Sequence, residues 1–475
     1  MENTDNKQVD MTSDSDSDQE INPWKVTSKA GIDYMKLIDK FGCDPIDGEL
    51  IKRFEQITRV KAHTWLRRGL FFSQKDLALV LKDYESGKPV YLYTGRGPSS
   101  EAMHMGHLIP FMFTKWLQYA LDAVLVIQMS DDEKFHFKGR DEGKAVEEYN
   151  RLTYENAKDI IACGFNPEKT YIFSNFKTVS GELYANTVRL MKITGNQIRG
   201  IYGLNLDNTV GQISWPCFQC APAYSNSFPD ILHPDGHYSS EAFDGTKTYD
   251  GPHLRCLVPM AIDQDPYFRM ARDFAHDYRA SGYIKPATIH TKLLVGLGGI
   301  KDKMSSTGGS PTIYLTDDVK GIAKKIKKYA FSGGKETVEL HQKYGGNLEV
   351  DVAYQWMLYF NHDDNDMKTI AHNYRSGKML TGTIKNRCAE VVTDLIARHQ
   401  EARAKITDDD MRKFFSRDRE FNLDHSVREP VELESDEVYA TYGINFDTSF
   451  GAVSPTSSKL SHISCIGCSK CVVSV

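Results

Sequence analysis

The 475-residue chain lacks the features that would place it in a membrane or outside a cell. No apolar run approaches the ~18–20 residues that a membrane-spanning helix needs. The first residues are acidic, whereas a secretory signal is basic and then apolar. Nine cysteines, an odd number without such a signal, predict reduced thiols rather than a disulfide framework. We therefore expect a protein that works in the cytoplasm and does not bind a membrane.

The chain also lacks an excess of positive charge, because it has 58 Lys and Arg residues against 64 Asp and Glu residues and a formal net charge of −6. This balance argues against broad nonspecific binding of nucleic acid, but it is compatible with a local basic surface. Apolar residues make up 40% of the chain and charged residues 26%, as in an ordinary globular protein. The length predicts two or three domains of ~100–200 residues each.

The apolar patterns divide the chain into five segments. Residues 1–22 alternate Ser with Asp and are expected to form a disordered acidic leader, and the patterns over 23–87 predict an N-terminal helical extension. Over 88–315, short β-forming runs alternate with helical patterns, which predicts an α/β catalytic domain with a Rossmann-like, doubly wound parallel sheet. Helical patterns alone occupy 316–417 and predict an all-helical C-terminal domain, and 418–475 is expected to be a loosely ordered tail.

A glycine-rich turn and two histidines follow the first predicted strand of the α/β segment. The turn is TGRGP at residues 94–98, and HMGH at residues 104–107 comes just before a helical pattern. Ligands of open α/β sheets bind beyond the carboxyl ends of strands, and phosphates favour helix N-termini. Taken alone, H-x-G-H is a weak signal, since two surface histidines near a turn would look the same. The residues expected to bind ATP here are Gly95, Arg96, Gly97 and Gly106, and His104 and His107 are expected to be catalytic as donors to its phosphoryl oxygens.

A second candidate ATP-binding segment lies about 200 residues further on, which is the length of one domain. It reads KMSSTGG and begins at Lys303. The Lys303 ammonium would offset charge on the transferring phosphates, and the hydroxyls of Ser305 and Ser306 would donate hydrogen bonds. The two glycines predict a soft loop that closes over the nucleotide.

Together, the HMGH and KMSS segments resemble the signature pair of class I aminoacyl-tRNA synthetases. Four further segments resemble the tryptophanyl members of that class, of the eukaryotic cytoplasmic type. These segments are TGRGPSSEAMHMGH at 94–107, QMSDDEK at 128–134, AIDQDPYFR at 261–269 and FSGG at 331–334. The resemblance spans about residues 23–417. It implies a homodimer that takes ATP with Mg²⁺ as a substrate complex, activates L-tryptophan as its adenylate, and loads it onto tRNA(Trp).

The resemblance also implies which residues hold the amino acid. Indole is a flat apolar body with one N–H donor, so a selective pocket needs an acceptor within apolar walls. Such a pocket rejects rings that lack the donor by a factor of ~10⁴–10⁵, and no editing domain is expected. Gln219 and Gln264 would also fit as ordinary polar residues on helices. The implied assignments are Tyr93 and Gln128 to the indole, Glu133, Gln219 and Gln264 to the ammonium and carboxylate, and Phe268 to the pocket wall.

Lysines cluster in the first helical pattern of the C-terminal domain, where residues 320–329 read KGIAKKIKKY. Lysines track phosphates, and the neighbouring aromatic residues would stack on unpaired bases. A solvated basic face is the alternative. Because the resemblance makes this domain the anticodon-binding one, the residues expected to contact tRNA are Lys324, Lys325, Lys327 and Lys328.

Two cysteine motifs suggest metal binding, and neither has a complete ligand set. CFQC at 217–220 has no two further ligands nearby. Cys465, Cys468 and Cys471 lack the fourth cysteine of a cluster motif, although His462 would serve in a zinc site. We therefore predict no metal site and no tightly bound cofactor.

Other functions fit parts of this pattern. A tyrosine-specific class I relative would share both ATP motifs, and a nucleotidyltransferase would share H-x-G-H without binding tRNA. A third alternative is a catalytically silent binding or signalling relative. The helical domain argues against the nucleotidyltransferase, and the intact His104, His107 and Lys303 argue against the silent relative.

Overall fold

The computed structural model describes residues 19–23, 26–28, 31–139, 143, 145–233, 238–241, 247–249, 253–303 and 311–424. Most of the expected acidic leader, most of the expected tail with its cysteines, and the loop after Lys303 lie outside these residues. The strands within them, in chain order, are β1 (Gln19–Ile21), β2 (Val26–Ser28), β3 (Asp44–Pro45), β4 (Phe71–Lys75), β5 (Val90–Arg96), β6 (Val124–Met129), β7 (Thr170–Ser174), β8 (Tyr238–Glu241), β9 (Lys247–Tyr249), β10 (Arg255–Ala261), β11 (Ala287–Thr291), β12 (Val295–Gly296) and β13 (Gly299–Lys303).

A seven-stranded sheet with the order β3-β4-β11-β10-β5-β6-β7 forms the centre of the molecule. The five strands from β11 to β7 are parallel. From β5 the chain builds outward through β6 and β7, and it then returns to place β10 on the other side of β5. This reversal makes the sheet doubly wound and opens a crevice at the carboxyl ends of β5 and β10.

The predicted doubly wound α/β fold is confirmed, with one correction at the sheet edge. The expected helical extension over 23–87 also contributes β3 and β4, which pair antiparallel and make the sheet mixed. Strand β4 is FFSQK, and all five residues are buried. A run this short and fully buried has neither the alternation of a half-exposed strand nor the period of a helix, so its pattern did not reveal it.

Helices cover both faces of the sheet, which explains why the parallel strands read as continuous apolar runs. Beginning at Met105, one helix carries the HMGH segment at its start, and we call it the signature helix (Met105–Leu121). The other α-helices of this part are Tyr34–Phe41, Gly48–Thr58, Thr64–Arg67, Leu77–Glu85, Asp131–Lys134, Val146–Ile161, Asn175–Thr178, Gly181–Leu190, Gly195–Tyr202, Val210–Cys220, Pro229–Leu232 and Asp265–Asp277.

Beyond residue 315 the described chain is a layer of helices packed on the same hydrophobic core as one face of the sheet. We call it the helical layer, and its helices are Val319–Tyr329, Val338–Tyr344, Val352–Phe360, Asp364–Arg375, Thr381–Ala404 and Asp408–Phe415. Two buried indoles bond across the contact: Trp65 Nε1 donates to Tyr359 O at 2.6 Å, and Trp356 Nε1 donates to Val295 O at 2.9 Å. None of the described helices is long and apolar enough to cross a membrane.

The described chain continues past the predicted domain boundary at 417. Phe421 is 3% exposed, and the Arg419 guanidinium lies 4.2 Å from the centre of its ring. Arg419 Nη2 also donates to Thr170 O at 2.6 Å. The first residues of the expected loose tail therefore pack against the edge strand β7.

Candidate active site

A cavity of about 380 Å³ opens at the crevice between the carboxyl ends of β5 and β10. It receives side chains or backbone from β5, the signature helix, and the segments after β6 and β10. Many residues that the sequence assigned to ATP or to the amino acid line it. These are Tyr93, Gly95, Arg96, Gly97, His104, Gly106, His107, Glu133, Gln219, Gln264 and Phe268.

The two signature histidines meet at the start of the signature helix. His104 is the N-cap residue, and its ring stacks on that of His107 with centroids 3.5 Å apart. The backbone N–H of His104 donates to His107 Nδ1 at 3.2 Å, and Arg96 Nη1 lies 2.9 Å from His107 Nε2. Two imidazoles and a guanidinium thus surround a helix N-terminus, where the helix dipole favours a phosphate.

Arg96 is held in this position by a buried amide. Arg96 Nε donates to Asn156 Oδ1 at 3.1 Å, and Asn156 Nδ2 donates to Ser100 O at 2.7 Å. One side chain therefore fixes both the guanidinium and the turn that follows β5. Burial lowers the pKa of Arg96 to about 10, which still leaves it cationic at neutral pH.

Gly97 allows Glu133 to approach the backbone of the turn. A Cβ atom at Gly97 would lie 2.4 Å from Glu133 Oε2 and 2.4 Å from Lys134 Cε. Glu133 Oε1 accepts from Lys134 Nζ at 2.7 Å, and Ser130 Oγ donates to Glu133 Oε2 at 3.2 Å. The carboxylate is therefore positioned at the cavity wall by three neighbours.

Tyr93 forms the deep end of the cavity. It is fully buried, and its ring packs edge-on against Phe268 with centroids 6.0 Å apart. Its hydroxyl lies 2.6 Å from Gln128 Oε1 and 2.8 Å from Gln219 O. Burial raises the pKa of Tyr93 well above its usual value, so the hydroxyl keeps its hydrogen. The hydroxyl has one hydrogen for two acceptor oxygens, so the deep end has more acceptors than donors and favours a ligand that brings a donor.

Gln128 differs from its expected place, because it does not line the cavity. It lies behind Tyr93 and is 1% exposed. Its Nε2 donates to Asn175 Oδ1 at 3.0 Å and to Phe218 O at 3.1 Å. In this structure Gln128 accepts a hydrogen bond from Tyr93, and it is Tyr93 that lines the cavity.

The second motif is described only in part. Lys303 is the last residue of β13, where its backbone pairs with Val295 of β12. Ser305 and Ser306 lie outside the described residues, as does the loop that they belong to. The approach of Lys303 and of these serines to ATP stays a prediction.

Sequence reasoning missed several residues of the site. Trp215 and Tyr267 line the cavity and are 1% and 2% exposed. Tyr267 stands inside the AIDQDPYFR segment and could have been found there. Asn156 and Asn175 belong to helices and carry no signal, since only the fold shows that they are buried beside the site.

A doubly wound sheet with H-x-G-H at a helix N-terminus above its crevice is an arrangement typical of nucleotide-binding α/β proteins. A family model described as tRNA synthetases class I (W and Y) matches residues 85–397. The chain belongs to this family, and the predicted resemblance is confirmed.

Relatives in the same family align over most of the chain. The cytoplasmic tryptophan--tRNA ligase of Arabidopsis thaliana is 47% identical over 396 residues, which cover 83% of this chain and 93% of the relative. The cytoplasmic tryptophan--tRNA ligase of Homo sapiens is 46% identical over 401 residues, which cover 83% of this chain and 80% of the relative. The crystal structure of Plasmodium falciparum tryptophanyl-tRNA synthetase is similar with a TM-score of 0.72 and 43% identity, covering 81% of this chain and 95% of that one.

Gly97→Ala is expected to raise the KM for the amino acid by about tenfold, the usual scale for a disturbed hydrogen bond to a charged group. The added Cβ would displace the ends of the Glu133 and Lys134 side chains, which are flexible, so the fold should tolerate it. The measurement is amino-acid-dependent ATP–pyrophosphate exchange alongside the thermal midpoint.

The matched control is Gly200→Ala, because a Cβ there meets nothing within 4 Å. It should leave the KM unchanged and raise the midpoint slightly, because Gly200 lies inside the helix Gly195–Tyr202 and Ala favours a helix over Gly by about 0.5–1 kcal/mol. If Gly97→Ala also keeps the KM of the unsubstituted protein, the close approach of Glu133 has no part in binding.

Proposed function

We propose that the chain is a tryptophan--tRNA ligase that works in the cytoplasm. It activates L-tryptophan with ATP, releasing pyrophosphate, and transfers tryptophan from the adenylate to tRNA(Trp). The observation that carries the proposal is the deep end of the cavity, where acceptor oxygens around the Tyr93 hydroxyl lie among aromatic side chains. The names of relatives that are 44–47% identical over most of the chain support it.

The indole ring is proposed to enter the cavity with its N–H toward Tyr93. Tyr93 Oη keeps a lone pair when its own hydrogen goes to Gln128 or to the Gln219 carbonyl, so it accepts the indole N–H. Phe268 supplies an apolar wall. Nearer the opening, Glu133 is proposed to hold the ammonium, and the amides of Gln219 and Gln264 to hold the carboxylate.

ATP is proposed to bind as its Mg²⁺ complex beside the signature helix. Gly95, Gly97 and Gly106 let the nucleotide approach the backbone closely, and Arg96, His104 and His107 donate to its phosphates. Lys303, Ser305 and Ser306 are proposed to complete the site when their loop closes.

In the first step the tryptophan carboxylate attacks the α-phosphorus, and pyrophosphate leaves with its electron pair. The residues of the chain align the reactants and stabilise charge as it develops on the phosphoryl oxygens. In the second step the terminal adenosine of the tRNA takes the tryptophanyl group, and AMP leaves.

The tRNA is proposed to lie against the helical layer, with 316–417 as the anticodon-binding domain and 88–315 as the catalytic domain. Lys324, Lys327 and Lys328 are exposed on the helix Val319–Tyr329 and are proposed to track phosphates. Lys325 is different, because its Nζ donates to Thr312 O at 2.9 Å and to Asp317 Oδ2 at 2.6 Å. We therefore leave Lys325 out of the proposed tRNA contact.

A homodimer is proposed to form through apolar side chains on neighbouring helices of the α/β part. Tyr184, Val188, Leu206 and Val210 are 51%, 46%, 98% and 83% exposed. They belong to or adjoin the helices Gly181–Leu190 and Val210–Cys220, which contact each other. Apolar surface on one side of a molecule is typical of a protein–protein interface.

The tyrosine-specific alternative shares the family model, which covers both amino acids. The relatives named above are tryptophan enzymes, and they do not favour it. ATP–pyrophosphate exchange measured with each amino acid distinguishes a tryptophan enzyme, a tyrosine enzyme and a catalytically silent relative.

ATP–pyrophosphate exchange is expected with tryptophan and not with the other nineteen amino acids. A pocket that bonds a ring N–H should discriminate against tyrosine and phenylalanine by ~10⁴-fold or more. Exchange with tyrosine but not tryptophan would refute the proposed specificity for tryptophan. Exchange with no amino acid would refute the proposal that the chain activates an amino acid. His107→Ala serves as the control, since the loss of a phosphate donor should abolish most exchange at this site.

Replacing Lys324, Lys327 and Lys328 together by Ala is expected to weaken tRNA binding without changing tryptophan-dependent exchange. Each lost phosphate contact should lower the slope of log K against log salt by about one unit. The measurement is tRNA binding over a range of salt concentrations. Lys36→Ala is the control, because Lys36 is 73% exposed in the N-terminal segment. An unchanged salt slope in the triple variant would remove these lysines from the tRNA contact.

Val188→Lys combined with Val210→Lys is expected to convert a dimer into a monomer, because like charges would be buried on both sides of the interface. Light scattering coupled to gel filtration measures the mass before and after the change. Val319→Lys, exposed to 54% on the helical layer, is the matched control and should stay dimeric. A double variant that keeps the dimer mass would place the interface elsewhere.

A further inference from the structure

Buried polar side chains that the proposed reaction does not use lie behind the deep end of the cavity. Asn175 and Asp132 are 3% and 9% exposed. Asn175 Nδ2 donates to Asp132 Oδ1 at 2.9 Å, and Gln128 Nε2 donates to Asn175 Oδ1 at 3.0 Å. With Tyr93, these side chains form a hydrogen-bonded line that ends at the cavity, and we call it the amide relay (Asp132, Asn175, Gln128 and Tyr93).

The direction of the amide relay is set at its far end. Asp132 Oδ1 also accepts the backbone N–H of Glu133 at 2.8 Å, so this oxygen already faces a donor. It remains an acceptor even when the other carboxyl oxygen carries a proton. Asn175 must therefore turn its amino group toward Asp132, which leaves its oxygen for Gln128.

Gln128 is oriented in turn by the oxygen of Asn175. Its amino group faces Asn175 Oδ1 and Phe218 O, and its Oε1 is left toward the Tyr93 hydroxyl at 2.6 Å. If the carboxamide flipped, two acceptor oxygens would lose their donor inside the protein. The flipped amino group would also donate to Tyr93 Oη and occupy the lone pair that a ligand needs.

We infer that Asn175 and Asp132 are specificity-determining positioning residues, which keep the deep end of the cavity an acceptor by fixing the orientation of Gln128. The ligand they select is an aromatic amino acid whose ring carries an N–H donor. Neither residue touches the substrate, since both act through Gln128 and Tyr93. This inference rests on the proposed function and names the residues behind its specificity.

The test is Asn175→Leu, which keeps a similar side-chain shape and removes both the amino group and the oxygen of the Asn175 amide. The measured quantity is the ratio of kcat/KM for tryptophan to kcat/KM for the analogue in which sulfur replaces the indole N–H. We expect this ratio to fall by about tenfold, the scale of one buried hydrogen bond. Loss of the acceptor lowers kcat/KM for tryptophan alone, because the analogue has no N–H to donate. A merely structural defect would lower kcat/KM for both substrates and leave their ratio unchanged.

The matched control is Asn186→Leu, which removes another fully buried amide. Asn186 Nδ2 donates to Asn226 Oδ1 at 3.0 Å and to Ser227 Oγ at 2.7 Å, and none of these residues lines the cavity. This variant should lower stability and keep the ratio of the unsubstituted enzyme.

A second pair of variants tests the far end of the relay, and it decides the question if Asn175→Leu does not fold. Asp132→Leu removes the acceptor, and the ratio should fall. Asp132→Asn keeps an oxygen that the Glu133 N–H orients, and the ratio should stay close to that of the unsubstituted enzyme. An unchanged ratio in Asn175→Leu, or in Asp132→Leu when that is the variant that folds, overturns the inference. Failure of the proposed function is distinct, since the unsubstituted enzyme would then show no exchange with tryptophan.

Discussion

The parallel pairing of β5 with β6 on one side and β10 on the other is the constraint on which the site depends. Tyr91 and Leu92 take partners in both neighbours. The chain after β5 crosses to β6 on one side, and the chain after β10 crosses to β11 on the other. The helices that follow must diverge, and a crevice stays open where β5 ends. The last four residues of this strand include Tyr93, Gly95 and Arg96. One strand end therefore presents an aromatic hydroxyl, a gap without a side chain and a cation to the same cavity.

A buried ion pair makes the N-terminal segment part of this arrangement. Lys75 Nζ of β4 lies 2.8 Å from both carboxylate oxygens of Asp265, and both side chains are almost wholly buried. His290 Nε2 lies 3.2 Å from the same carboxylate, and Cys43 is close by. These groups have the spacing of a metal site, but the ammonium already neutralises the carboxylate. Removing one partner would leave the other charge buried, so β4 and the start of the helix Asp265–Asp277 are held together. That helix start carries Gln264 and Phe268 to the cavity.

The sequence was sufficient for the doubly wound fold, because short β-forming runs that alternate with helical patterns have few other solutions. It was also sufficient to bring most of the residues expected at ATP and at the amino acid to one cavity, since motifs at strand ends meet at one sheet edge. It did not show that Gln128 lies behind Tyr93 rather than in the cavity wall. It could not reveal β4, whose five buried residues show no period. Nor could it show that Lys325 turns inward, because its partner Asp317 is set by the bend between two elements rather than by helical spacing. Asn156 and Asn175 are ordinary residues in helical patterns, and their importance comes from burial alone.

The two segments proposed to bind ATP take their positions from different parts of the molecule. The HMGH segment stands on the sheet, but the hairpin of β12 and β13 that leads to Lys303 is bonded to the helical layer. Trp356 Nε1 donates to Val295 O, and the backbone N–H of Phe331 donates to Leu297 O at 2.8 Å. Val295 is in turn the strand partner of Lys303. A shift of the helical layer against the sheet would therefore carry the backbone of Lys303 with it, so the alignment of the second motif depends on the domain that is proposed to hold tRNA.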